Sequence, residues 1–174
     1  MKHLIQRRTA SSFDEYFWKH LDLNNKIILD AGTGFGLTTS EIAKRIRRQK
    51  AKSMTISVDI DPEALKHARS LLTTHSMSKP YSLSKLVTFI RADLSYLPIE
   101  EGAIDLVVSK RTLADVESFP CRMIRAAAEL HRVLKRGGKV VVSDEYPILS
   151  PSRDEEKVAV TRWQLVKAVS HIIG

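Results

Sequence analysis

The sequence predicts a single α/β domain: a doubly wound, mainly parallel sheet of Rossmann-like type with helices on both faces. Three observations carry that reading. A chain of 174 residues suits one hydrophobic core. Short apolar runs alternate five times with stretches of helical spacing. The first apolar run ends in a glycine-rich stretch, Ala31-Gly32-Thr33-Gly34-Phe35-Gly36, at the point where such sheets turn from strand to helix beside a ligand.

Each element has its own signal. An N-terminal helix is expected over Ser12–Leu21, with Asp14 and Glu15 in its first turn. Lys26-Ile27-Ile28-Leu29-Asp30 is a short apolar run closed by glycine, the signature of a buried parallel strand. Leu37–Arg48 follows as a helix, with Ile42, Ala43 and Ile46 on one stripe. Met54–Asp59 is the second strand, and Pro62 suits the first turn of the next helix. Leu86–Arg91 and Ile104–Ser109 are the third and fourth strands. Met123–Leu134 reads as a helix stopped by Gly137-Gly138, and Lys139–Ser143 as the fifth strand. A long helix over Glu155–Ile173 closes the chain, with Trp163 and Val166 on its apolar stripe. The whole chain, 1–174, is thus one domain: a helical segment 1–24, a core 25–146 and a terminal helix 147–174.

Composition narrows the function classes. Hydrophobic residues make up 43% and charged residues 28%, which suits a globular protein. No apolar run approaches the roughly 20 residues of a membrane span, and the N-terminus has no signal-peptide core. The single Cys121 excludes an internal disulfide framework and a thiolate zinc cluster, so a reduced cysteine in a cytoplasmic protein is expected. The six histidines include no pair at metal-ligand spacing, and no metal is predicted. The net charge of +8 sits at the two ends of the chain. Residues 1–52 hold 11 basic and 5 acidic side chains, 53–120 hold 7 and 9, and 121–174 hold 10 and 6.

The glycine stretch is the strongest motif. The dinucleotide fingerprint G-x-G-x-x-G would place its third glycine at Leu37, whereas this chain reads Asp30-x-Gly32-x-Gly34-x-Gly36. A buried carboxylate before the loop suits an ammonium or sulfonium ligand better than a pyrophosphate, which counts against a nicotinamide oxidoreductase. Asp59 ends the second strand, where it can accept hydrogen bonds from both ribose hydroxyls; the alternative is a helix cap before Pro62, for which Asp61 stands nearer. Asp93, in Arg91-Ala92-Asp93-Leu94, reads as a turn residue or a ligand contact. Asp105 begins the fourth strand, away from the ligand end, and reads as structural.

Taken together, these motifs resemble class I S-adenosylmethionine-dependent methyltransferases, closest to the branch of the ubiquinone and menaquinone C-methyltransferases. The resemblance spans residues 25–146. It includes Val58-Asp59-Ile60-Asp61-Pro62-Glu63, Ala103–Ser109 and Glu129-Leu130-His131-Arg132-Val133-Leu134-Lys135-Arg136-Gly137-Gly138. It implies S-adenosylmethionine as cofactor, with S-adenosylhomocysteine as product. The binding residues it implies are Asp30, Ala31, Gly32, Thr33, Gly34 and Gly36 in the loop, then Asp59 and Ile60, Ala92, Asp93 and Leu94, and Ser109. Ile60 would pack on the adenine, and Asp93 would receive its amino group.

The expected activity is methyl transfer to an unidentified acceptor, a small molecule rather than a nucleic acid; no catalytic base stands out. A non-catalytic scaffold that keeps the cofactor pocket is the alternative, and an aminopropyl transferase would share the glycine loop. The basic run Lys44, Arg45, Arg47, Arg48, Lys50 and Lys52 sits toward the far end of the first helix, roughly 18 Å from the loop, and reads as a solvated face. Lys110 and Arg111 follow the fourth strand at the pocket mouth and could meet an anionic substrate. His131 reads as structural. The family normally adds two strands after the last helix, for which this sequence has no residues. The chain is therefore expected to be a truncated or shortened member, its fifth strand at a sheet edge, prone to self-association or capped by the N-terminal segment.

Overall fold

The computed structural model describes Trp18 and residues 21–74, 83–110, 112 and 120–143. The expected terminal helix over Glu155–Ile173 lies outside the described residues. So does most of the expected N-terminal helix, of which Trp18 is helical.

The elements run β1 (Ile27–Ala31), α1 (Leu37–Gln49), β2 (Met54–Asp59), α2 (Pro62–Thr74), a 3-10 turn (Leu83–Leu86), β3 (Val87–Arg91), β4 (Ile104–Lys110), α3 (Pro120–Val133) and β5 (Leu134–Ser143). The strands form one sheet in the order β3-β2-β1-β4-β5, and every neighbouring pair is parallel. Winding starts at β1, proceeds outward through β2 and β3, then returns to the other side of β1 for β4 and β5. The switch point is therefore the seam between β1 and β4.

Alternating side chains divide the core into two layers. Ile28, Leu106 and Val108 face Ile42 and Ile46 of α1. Leu29, Ala31, Val58 and Val107 face Ala126, Leu130 and Val133 of α3. Reversing the winding direction moves the crossover helix to the opposite face, so both sides of the sheet are covered. A third group, Ala43, Leu72, Leu83 and Val87, seals α1 and α2 against the outer strands.

Two boundaries differ from expectation by three residues or more, the others by one at most. α3 begins at Pro120 rather than Met123, because proline is at home in a first helical turn, where its missing N–H leaves no bond unmade. The last strand begins at Leu134, not Lys139. Gly137, at φ 79°, does turn the chain, but within the strand, and the β4–β5 register shifts between Ile104 and Leu106 to accommodate it. Among the described residues β5 has one strand neighbour, β4.

The amino end of the sheet is tied by a side chain. Asp105 accepts the Ile27 amide at 2.8 Å and the Lys135 ammonium at 2.8 Å, linking the starts of β1, β4 and β5. Its expected structural role is what the structure gives it.

Candidate functional site

Because all five strands are parallel, their carboxyl ends share one edge. That edge gathers the glycine loop after β1, Asp59 and Ile60 after β2, residues 92–94 after β3, and Lys110 and Thr112 after β4.

The glycine loop is pinned from beneath. The amides of Gly32 and Thr33 both donate to Val58 O at 2.9 Å, and Gly36 N donates to Thr33 O at 3.0 Å. Gly32, Gly34 and Gly36 all take positive φ, at 80°, 50° and 85°, a region that side chains disfavour. Their surroundings separate them. A Cβ on Gly32 would stand 2.0 Å from Thr112 Cγ2, and one on Gly36 would stand 2.5 Å from Ala68 Cβ of α2. A Cβ on Gly34 would meet nothing within 4 Å. Two of the glycines are therefore required by neighbouring chain, and Gly34 is the one with open space above it.

Asp59 is half-buried and does more than end its strand. Its Oδ2 accepts the Gly34 amide at 2.7 Å, and its Oδ1 accepts the Asp61 amide at 3.0 Å. The carboxylate thus fixes the loop while each oxygen keeps a second lone pair for a ligand. Asp61 in turn accepts Glu63 N at 2.9 Å, so the cap near Pro62 belongs to Asp61.

Asp30 is only 1% exposed, on the α1 side of the sheet. Its Oδ2 accepts the Thr39 hydroxyl, and Thr39 Oγ1 lies 3.0 Å from Ser57 Oγ. The other oxygen, Oδ1, is buried with no hydrogen-bond partner. Burial pushes this carboxyl up to about 6; the Thr39 hydrogen bond opposes the rise and the nearby Asp59 charge adds to it. Such a group takes its charge readily once a cation arrives. The adjoining start of α1 carries no capping side chain and no acidic residue in its first turn.

The remaining predicted residues are dispersed around this edge. Ala31 is buried in the α3-side core and Thr33 is 5% exposed beneath the loop. Ile60 is exposed at 56%, and Arg91 Nε donates to its carbonyl at 3.2 Å. Asp93 builds a tight turn, with Oδ1 accepting Ser95 N at 2.8 Å and its carbonyl accepting Tyr96 N at 2.9 Å. Ala92 N donates to Asp59 O at 3.1 Å, joining the second and third parts of the edge. Leu94 is buried in the core rather than presented to the edge. Ser109 is fully buried on β4 and its hydroxyl has no partner. Lys110 lies half-buried at the end of β4, and Arg111 is outside the described residues.

Two contacts escaped the sequence reading. Thr112 Oγ1 lies 3.1 Å from Gly32 O and 3.3 Å from Lys110 O, reaching back over the loop from 80 residues away. Nothing in the local sequence marks a hydroxyl for that place. Phe35, 65% exposed beside Gly36, has its ring 5.2 Å from the His67 ring in an edge arrangement, and its carbonyl accepts His67 Nδ1 at 3.2 Å.

The basic run lies elsewhere. Arg45 pairs with Glu41 at 2.8 Å and stacks over Trp18 at 4.7 Å, and Arg48 reaches the same Glu41 at 3.3 Å. These residues close α1, whose chain passes on to the start of β2, where Met54 N donates to Lys26 O. They belong to the amino end of the sheet, opposite the glycine loop. His131 is exposed on α3. Among the described residues no three His, Cys, Asp or Glu side chains gather as a metal site. No described helix is long and apolar enough to cross a membrane.

Comparison with known proteins agrees with this geometry. The family model described as "Methyltransferase domain" matches residues 29–142, from the middle of β1 to the last residue but one of β5. The chain is 31% identical over 125 residues to demethylmenaquinone methyltransferase of Thermus thermophilus, covering 70% of this chain and 48% of that protein. It is 33% identical over 141 residues to norajmaline N-methyltransferase of Rauvolfia serpentina, covering 76% of this chain and 42% of that protein. The chain therefore spans about half the length of these curated relatives. Among solved structures, an S-adenosylmethionine-dependent methyltransferase of Mesorhizobium loti aligns with a TM-score of 0.56 at 26% identity, over 77% of this chain and 54% of that one. Family and neighbours imply S-adenosylmethionine as the cofactor, and the donor set fits it: a buried carboxyl oxygen without a partner, an open Gly34 and a carboxylate with acceptor capacity left. By the span of the family match and by its relatives, this chain belongs to the methyltransferase-domain family.

Proposed function

We propose that this domain binds S-adenosylmethionine at the carboxyl edge of its sheet and transfers the methyl group to a small-molecule acceptor in the cytoplasm. The observation that carries the reading is Gly34: its amide is fixed by Asp59 while the space where a side chain would stand is open. A ligand can approach the backbone there, whereas Thr112 and Ala68 already fill the corresponding space at Gly32 and Gly36.

In this reading Asp59 holds the ribose hydroxyls through its remaining lone pairs. Ile60 offers an exposed apolar surface to the adenine, and Asp93 accepts the adenine amino group through Oδ2. Asp30, buried and unpartnered on one oxygen, complements the cationic end. When bound, the cofactor supplies a methyl group already activated by its sulfonium. The chain's task is then alignment of donor and acceptor at about 3–3.5 Å, which needs no nucleophile or metal. A small acceptor is supported by the relatives, whose names specify demethylmenaquinone and norajmaline. The single Cys121 supports the cytoplasmic setting.

Calorimetry with S-adenosylhomocysteine tests the reading. One-site binding is expected, with no comparable heat from NAD. Asp59→Ala should weaken it by about 1–3 kcal/mol, since charge-assisted bonds to the ligand and the pin on Gly34 go together. Binding of NAD in place of S-adenosylhomocysteine, or an Asp59→Ala protein of unchanged affinity, would overturn it.

A further inference from the structure

Residues 92–103 contain no strand or helix, yet they follow β3 and carry Asp93. Besides the turn around Asp93 and the bonds of the Ser95 and Tyr96 hydroxyls to Arg122 O and the Arg125 guanidinium, this stretch is held by one ion pair on α3. Glu129 and Arg132 face each other in a two-point pair, Nε to Oε1 at 2.6 Å and Nη2 to Oε2 at 2.8 Å. Each partner also grips the loop backbone. Glu129 Oε2 accepts Leu97 N at 2.7 Å, while Arg132 Nη2 donates to Leu97 O at 3.0 Å and Nη1 to Ile99 O at 2.9 Å. The Arg132 carbonyl accepts Gly102 N at 2.9 Å. Leu97 therefore has both its backbone groups satisfied by one ion pair, as a neighbouring strand would satisfy them. Leu94 and Leu97 seat their side chains in the same core layer as Leu130 and Val133.

We infer that Glu129 and Arg132 are positioning residues for the cofactor, acting through the loop that presents Asp93. The inference rests on the cofactor reading above. The planar guanidinium matters because it serves a carboxylate and two carbonyls at once, a fork that an ammonium cannot reproduce. A packing role alone would need neither the fork nor its aim at Leu97 and Ile99. The short turn between Asp93 and Leu97 transmits that placement directly: Ser95 N and Tyr96 N are both bonded to Asp93, and Ser95 Oγ donates to Arg122 O at 3.3 Å on α3.

The test is a double-mutant cycle read by S-adenosylhomocysteine calorimetry on the full chain. Arg132→Lys and Asp93→Ala should each weaken binding about tenfold. In the Asp93→Ala background, Arg132→Lys should weaken it less than about twofold further, because the contact it positions is already gone. Amide exchange at Leu97 should quicken in Arg132→Lys. A role confined to folding would lower stability but leave the losses additive. If Arg132→Lys does not fold, Glu129→Gln, which keeps an acceptor for Leu97 N, is carried through the same cycle. Unchanged affinity in the Arg132 or Glu129 variant, unchanged affinity in Asp93→Ala, or fully additive losses would each overturn the inference. A wild-type protein that takes up no S-adenosylhomocysteine would overturn the cofactor reading with it.

Discussion

Asp30 concentrates the conflict between stability and ligand binding. Its carboxyl is held at about 6 in the folded chain, above the ordinary value of 3.8 that it regains on unfolding. Between those values the folded state holds the proton more tightly. The stabilisation is therefore complete below about pH 4 and is lost as pH rises through 6, roughly 3 kcal/mol across the window. Asp30→Asn should abolish that slope while keeping an acceptor for Thr39. Denaturant titrations of both proteins at several pH values should show the variant gaining on wild type as pH rises from about 4 to 6 and holding that gain above it, and calorimetry should show it losing S-adenosylhomocysteine affinity. Parallel pH profiles would contradict the burial argument. The glycines make a second test at the same scale. Gly32→Ala drives a methyl into Thr112 and should destabilise the fold by roughly 1–3 kcal/mol, the usual cost of overpacking. Gly34→Ala meets no atom, so it should cost about 1 kcal/mol of left-handed strain in stability and a larger share of cofactor affinity. Thermal unfolding beside calorimetry separates the two. The spacing of Asp30, Gly32, Gly34, Gly36 and Asp59 was readable in the sequence, because parallel strands bring consecutive loop starts to one edge. Which glycine faces open space was not, since that depends on Thr112 and Ala68, 80 and 32 residues away.

Four of the five strands announced themselves as short runs rich in apolar residues, as parallel strands covered on both faces do, although β2 buries Thr55 and Ser57 on one side. β5 was legible only in its second half. Its first residues, Leu134-Lys135-Arg136-Gly137, look like a helix end, and only the irregular pairing with β4 makes them strand. The targets of Glu129 and Arg132 were hidden for a similar reason: the loop they grip lies more than thirty residues earlier. Asp105 shows what an element's end can demand. Burial works against its charge, but the Ile27 amide and the Lys135 ammonium outweigh it and hold the carboxyl below its ordinary range. Its contribution is thus present above the unfolded value, near pH 4, and fades as pH falls through the lower folded value. Asp105→Ala leaves the Ile27 N–H without its acceptor and should cost about 1–3 kcal/mol at pH 7. That cost should shrink toward pH 3, and cofactor affinity should not change, because the residue stands at the amino end of the sheet. An affinity loss equal to that of Asp59→Ala would mean the two ends of the sheet are not independent.

The two ends of the sheet carry different chemistry in one cooperative body, and that separation can be measured. The candidate cofactor contacts come from the carboxyl ends of three different strands and the loops after them, so a ligand seated there engages only the folded state. Its binding stabilises the whole domain by mass action, about 2.7 kcal/mol at a ligand concentration 100 times Kd. For a domain of this size that raises Tm by roughly 5–10 °C. The basic end of α1 lies at the opposite edge, where Arg48 is 65% exposed and its bridge to Glu41 is long at 3.3 Å. Exposed pairs of this kind contribute little. Replacing Arg47 and Arg48 together by Gln should therefore change stability by no more than about 0.5 kcal/mol and leave the S-adenosylhomocysteine shift in Tm intact. Asp59→Ala should remove most of that shift at the same ligand concentration. If the double Arg variant lost the shift instead, cofactor binding would depend on the basic end, and the division of labour between the two edges would be wrong. A wild-type protein that bound RNA with steep salt dependence, and lost that binding in the double variant, would assign the basic end a macromolecular partner while leaving the cofactor edge as described.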